Sequence, residues 1–356
     1  MRYLRLLGLS AVLSFAMAWG WVAAVPMAFM DAEYPSWRAK QVMLDRCDLG
    51  DAIVLGDSRA AAGIIPNRLP FRVTNLAVGG GKAIEALSVL TKALACPSPP
   101  RLVIISFDPG HFSQPDLFWE RSVRFGFMSE PDIAALREAS RQTGDQSVYE
   151  AHHSDGLPTA LRDWLYETRF PPLYFSNLAH GGLFVRWSSN QRALAATLSA
   201  RGQYYFGTDP GSDTVTIDGH LDSFRALPIL DYYFDRMLAM LDQRGIEARF
   251  IAMPVNEATW REVRPVMRDQ FLAYLAGYEH RYPRFRVASE IMPHWPDRFF
   301  GDRFCHLNPD GAERFSVQLA QRLQDAPPRT QNEAQNGWLS DTGAEASAKV
   351  VPNSKR

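Results

Sequence analysis

Short apolar strand-like runs recur along this chain, separated by longer stretches in which apolar residues return every three or four positions. The runs fall at 52–55, 72–76, 102–107, 247–253 and 284–288. None alternates strictly with polar residues, which is the pattern of strands covered on both faces in a parallel sheet. Between them, 82–95, 224–244, 257–281 and 309–324 read as helices. In the first of these, Ile84, Leu87, Leu90 and Leu94 repeat at helical spacing. Strand–helix alternation predicts an α/β fold, a doubly wound parallel sheet of five strands.

Three regions depart from this rhythm. Residues 111–222 are rich in aromatics, proline and glycine, with helical pieces at 131–141 and 161–166. They read as an insertion after the third strand, serving as a lid, a substrate platform or a partner surface. Residues 325–356 carry little apolar content and read as a disordered tail. At the amino end, Arg2 and Arg5 precede an uncharged run at 6–30, long enough to cross about 30 Å of hydrocarbon as a helix. Basic residues before this span, and Asp31 and Glu33 after it, place the amino end in the cytoplasm and the rest outside. An uncleaved single-pass anchor over 1–31 is preferred to a cleavable signal peptide, because the run is long and no A-x-A site ends it. The expected organisation is therefore anchor 1–31, α/β domain 45–324 with the insertion 111–222 inside it, and tail 325–356.

Composition changes this picture in two respects. Thirty-eight basic against 39 acidic residues give a net charge of -1 with no basic stripe, so nucleic acid is not an expected partner. The 3 cysteines matter because an exported chain can keep disulfides. Cys47 shortly precedes the first strand and Cys96 the third. If those strands are parallel neighbours, a Cys47–Cys96 bridge follows and Cys305 stays unpaired.

The polar clusters follow the strands. "AIVLGDSRAAAG" (52–63), "TNLAVGGGKA" (74–83), "IISFDPGHF" (104–112) and "IAMPVNEA" (251–258) each run past a strand end, and "GDRFCHLNPDGAERF" (301–315) precedes the last helix. All fall on the sheet edge where open α/β folds bind ligands. Ser58 is then either a nucleophile or the cap of an ordinary helix, since Asp and Ser are both preferred caps.

The order Gly-Asp-Ser (56–58), Asn-Leu-Ala-x-Gly-Gly (75–80) and a late Asp…His-Leu-Asn (302–308) resembles the SGNH, or GDSL-type, hydrolase superfamily over most of 52–324. The resemblance implies a flavodoxin-like sheet and a serine nucleophile, matched by Ser58. It further implies oxyanion amides at Ser58 and at Gly80, the best match within 79–81, and a general base, His306. Two blocks differ from the family pattern. Its last block reads Asp-x-x-His, whereas residue 303 is Arg and Asp302 stands four before His306; a loop one residue longer would still deliver it, and Asp297 is a poorer substitute. Its third block contains Gly-x-Asn-Asp, whose Asn adds an oxyanion donor; "SFDPGHF" lacks it, leaving His111 or a backbone amide as replacements.

In this form the chain resembles membrane-tethered relatives, the accessory proteins of cell-wall D-alanylation and, more distantly, the alginate O-acetylation proteins. These imply an extracytoplasmic, periplasm-facing acyltransferase, foremost for O-acetylation of a cell-envelope or secreted polysaccharide. Its partners would be a polysaccharide or other hydroxyl acceptor, an acyl donor and an integral membrane O-acyltransferase, with no cofactor. A carbohydrate or lipid esterase with the same residues and a non-catalytic accessory protein remain as alternatives. Trp119, Trp187, Tyr204 and Tyr205 either stack on sugar rings or fill local core. "GGGKA" is not a phosphate loop, since Leu76 and Ala83 occupy its required Gly and Ser/Thr places. His152–His153 and "DGHLD" (218–222) supply no metal-ligand set, and Asp218 and His220 read as surface loop or as the border of the cleft.

Overall fold

In a computed structural model the described residues are 2–325, except 116, 151–157, 159–160, 162–163, 167, 169–175 and 177. The expected tail, apart from Asp325, and the His152–His153 pair lie outside them. The apolar runs form a five-stranded parallel sheet ordered β2-β1-β3-β4-β6. Its strands are β1 (Ala52–Gly56), β2 (Val73–Asn75), β3 (Leu102–Ser106), β4 (Glu247–Phe250) and β6 (Phe285–Val287). A separate pair, β5 (Val255–Asn256) and β7 (His294–Trp295), is also parallel. Every residue of β1 and β3 is buried, which explains their unbroken apolar character: neither face meets water. Ala52 pairs with Leu102 and Gly56 with Ser106, so the two central strands end level with each other.

Four helices matter for the site and its attachment: α1 (Arg2–Ala24), α2 (Tyr34–Asp45), α3 (Ser58–Gly63) and α4 (Ala83–Leu94). Helix α1 has 23 residues and is long and apolar enough to cross a membrane. The chain leaving it is fastened to Trp187–Ser199, because Asn190 Nδ2 donates to the carbonyls of Met27 and Met30, 3.0 Å each. That helix leads back to the sheet: Asn75 N donates to Arg201 O at 2.9 Å, and Tyr204 N to Ala61 O at 3.0 Å.

The helix expected over 257–281 is two helices, Glu257–Glu262 and Pro265–Arg281. Pro265 has no N–H and pushes Arg264 to an extended conformation, which ends one helix and starts the next.

Cys47 and Cys96 form the expected disulfide, with Cα atoms 5.5 Å apart, and Cys305 is free and buried. The bridge closes a loop of sequence separation 49. A Cys47→Ala/Cys96→Ala chain is expected to lose about 2–4 kcal/mol of stability, seen as a lower urea midpoint; an unchanged midpoint would contradict this.

Candidate active site

The turn after β1 settles which residue is the cap. Asp57 is extended, and its Oδ1 accepts the N–H groups of Arg59 (2.8 Å) and Ala60 (3.4 Å). Capping is therefore performed by Asp57, and Ser58 is the first residue of α3, half-buried with its side chain at a cavity of about 560 Å³. The Ser58 amide has no protein acceptor among the described residues, as expected for an N–H in the first turn of a helix.

The loop after β2 is drawn onto the end of β1, since Leu76 N donates to Val54 O (2.9 Å) and Val78 N to Gly56 O (3.1 Å). Gly80 also lines the cavity. Its φ of +69° favours glycine, and a Cβ there would come 2.9 Å from Leu117 Cδ1. Buried Lys82 holds this turn through Nζ–H to Gly80 O at 3.4 Å. The Gly80 amide, like that of Ser58, lacks a protein acceptor among the described residues.

The late loop closes through an antiparallel bridge between Phe300 and Leu307 and a 2.8 Å bond from Gly301 N to His306 O. Within it, His306 Nδ1 and Asp302 Oδ2 are 2.5 Å apart. Asp302 Oδ1 accepts from Phe304 N (2.8 Å) and His306 N (3.3 Å). Cys305, within this loop, is in a left-handed conformation at φ +59°. Asp302 thus meets His306 at a spacing of four, whereas Asp297 Oδ1 accepts from Ala258 N at 3.4 Å. Burial alone would raise the Asp302 carboxyl, but its hydrogen bond with His306 outweighs this and holds it below the usual range. The His306 ring is buried and stacked on Phe206, with centroids 4.6 Å apart. Its Nε2 is buried without a hydrogen-bond partner among the described residues.

Ser58, Gly80, Asp302 and His306, drawn from three distant stretches of sequence, all line this one cavity. Its apolar wall comes from Leu117, Phe206, Val215, Ile217 and Phe304. None of the four aromatics that read as either sugar platforms or local core lines this cavity. Trp119 is core, Trp187 packs on Phe184, and neither Tyr204 nor Tyr205 lines the cavity. Phe206, next in sequence, does.

A second polar cluster underlies the first, and its Arg59 and Asp108 are not singled out by the sequence. Arg59 is 4% exposed and bridges Asp218 (2.6 Å) and Asp108 (3.4 Å). Its Nε also donates to Phe304 O at 3.3 Å, tying the late loop to α3. His111 Nδ1 lies 2.7 Å from Asp108 Oδ1 and 3.5 Å from Asp57 Oδ2. Burial opposes charge on His111, but the two carboxylates prevail and raise its pKa. Asp108 is likewise held well below the carboxylate range: burial would raise it, and Arg59 and His111 overcome that. Asp218 is fully buried, not a surface residue, and burial pushes its carboxyl up to about 6 despite Arg59.

Asp57, Asp108 and His111 bring ligand-type atoms within 4.8 Å of one another. Hydrogen bonds account for this closeness. Asp57 Oδ2 accepts from Asp108 N, Asp108 Oδ1 from His111, and Asp108 Oδ2 faces Arg59. The i, i+3 spacing of Asp108 and His111 past a strand end was the available signal for this cluster. No known family model and no curated protein matches the chain.

Proposed function

We propose that the protein is an extracytoplasmic, membrane-anchored acyltransferase of SGNH-like, flavodoxin-like architecture, transferring an acyl group, foremost acetyl, to a hydroxyl of a cell-envelope or secreted polysaccharide. The observation carrying this reading is the buried, carboxylate-anchored His306 whose unpartnered Nε2 belongs to the same cavity as Ser58. Asp302 holds the proton on Nδ1, which leaves Nε2 the basic nitrogen. Substrate binding brings the Ser58 hydroxyl to Nε2, a contact often completed only in the complex.

Ser58 Oγ bonds to the acyl carbon while His306 takes its proton, and the carbonyl electrons move onto oxygen. The Ser58 and Gly80 amides stabilise that oxyanion. Collapse breaks the bond to the leaving group, which receives the proton from His306. The acceptor hydroxyl then attacks acyl-Ser58 by the same steps in reverse. The apolar wall of the cavity limits water as a competing acceptor. In this reading 111–222, which contributes Phe206, Val215 and Ile217 to the wall, serves as the lid or partner surface, and the acyl donor reaches the site beside an integral membrane O-acyltransferase. The amino end lies in the cytoplasm and the site faces the periplasm.

The test is hydrolysis of nitrophenyl acetate by the full chain in detergent, with and without a sugar acceptor. Acceptor-dependent formation of acetylated sugar supports transfer. Hydrolysis that no acceptor diverts supports the esterase alternative, and no turnover of any acyl ester favours the accessory protein.

A further inference from the structure

Resting on the nucleophilic reading of Ser58, we infer that His111 is a catalytic residue, its Nε2–H acting as the third donor to the oxyanion. The acyl-transfer intermediate needs donors aimed at one oxygen, and the turn after β3 supplies Asp108, Gly110 and His111 to the cavity that Ser58 and Gly80 also line, two residues whose amides have no protein acceptor among the described residues. Asp108 cannot fill this place. It is ionised, and both its oxygens accept: Oδ1 from His111 N (3.0 Å) and Nδ1 (2.7 Å), Oδ2 facing Arg59 Nε (3.4 Å). What Asp108 does is fix the ring beside it. With Nδ1 bound to the carboxylate, Nε2 stands on the opposite side of the imidazole, and His111 lines the cavity with 19% of its side chain exposed.

The charge on the ring follows from its surroundings on every packed element. Asp57 faces it from the β1–α3 turn, Lys82 from the turn before α4, and Asp108 from its own loop, with Arg59 paired to that last carboxylate. Asp218 faces it from Ile217–His220, and His306 shares the cavity. Carboxylates dominate this set and favour the protonated ring, the form with a proton on each nitrogen.

The two histidines of the cavity thus differ in task. Each rests its Nδ1 on a carboxylate, but His306 offers a lone pair and His111 a proton. When pH rises through the raised pKa of His111, Asp108 retains the Nδ1 proton and the Nε2 proton is the one lost. The ring then presents a lone pair to the developing oxyanion and the donor is gone. Activity therefore falls on the alkaline side of the ordinary histidine value.

The experiment measures kcat, KM and the pH profile of nitrophenyl acetate hydrolysis by the full chain in detergent, with Ser58→Ala as blank. His111→Phe is expected to lose about 10²–10³-fold in kcat with KM little changed. His111→Gln, which keeps a neutral N–H, retains more activity than His111→Phe and lacks the alkaline limb. Asp108→Asn keeps the ring and moves that limb to lower pH. Wild-type kcat in His111→Phe, or an alkaline limb unmoved in both other variants, overturns the inference while leaving Ser58 in place. Equal turnover by wild type and Ser58→Ala instead overturns the nucleophilic reading beneath it.

Discussion

Ser58→Ala is expected to lower acyl transfer and ester hydrolysis by at least about 10³-fold, because the substitution removes the atom that forms the covalent intermediate. Folding should be unaffected. The side chain is half-buried, and capping of α3 is performed by Asp57 through Arg59 N and Ala60 N. Residual activity above the solvent rate would come from the amides at Ser58 and Gly80, which the substitution leaves in place. The check is the initial rate with nitrophenyl acetate and a sugar acceptor, paired with a thermal melt. Rates within a few-fold of wild type at unchanged melting temperature would remove Ser58 from the chemistry.

Arg59→Met is expected to cost about 3–5 kcal/mol of stability, since removing one partner leaves buried carboxylates uncompensated. The guanidinium forms ion pairs with both Asp108 and Asp218, and it also binds Phe304 O. Without it, burial raises both carboxyls. A group whose folded pKa lies above its unfolded value contributes stability at low pH and loses it as pH rises through the folded value. The deficit of Arg59→Met should therefore be larger at pH 8 than at pH 5. Urea unfolding at the two pH values measures it. A deficit below about 1 kcal/mol at both would show that the network does not depend on this residue. The late loop is also released, so activity should fall with stability.

The legible part of this protein was whatever leaves a local mark. Unbroken apolar runs marked β1 and β3 because parallel strands are buried on both faces. Gly-Asp-Ser announced itself as a polar break at the end of such a run, and the late Asp-Arg-Phe-Cys-His as a polar cluster before the last helix. Cys47 and Cys96 could be paired because both precede parallel neighbours. The pairing of Asp302 with His306 was readable at a spacing of four, although the left-handed backbone at Cys305 between them was not. Arg59 left no mark, for in sequence it is an ordinary cation opening a short helix. Its burial depends on Asp218, which is 159 positions away in a loop that reads as exposed. Phe206 was hidden in the same way, one of several aromatics whose direction only the return of 200–206 to the sheet edge decides. Pro265 does carry a local mark, but apolar spacing continues across it and hides the break it imposes in 257–281.

The central claim is that Ser58 and His306 act as one unit over the cavity. Peptide mapping by mass spectrometry after exposure of the full chain to a fluorophosphonate tests it most directly. The account predicts a single phosphonyl adduct on the peptide carrying Ser58, formed at least about 10²-fold more slowly in His306→Ala. An unmodified Ser58 in wild type, or equal labelling with and without the imidazole, would contradict it.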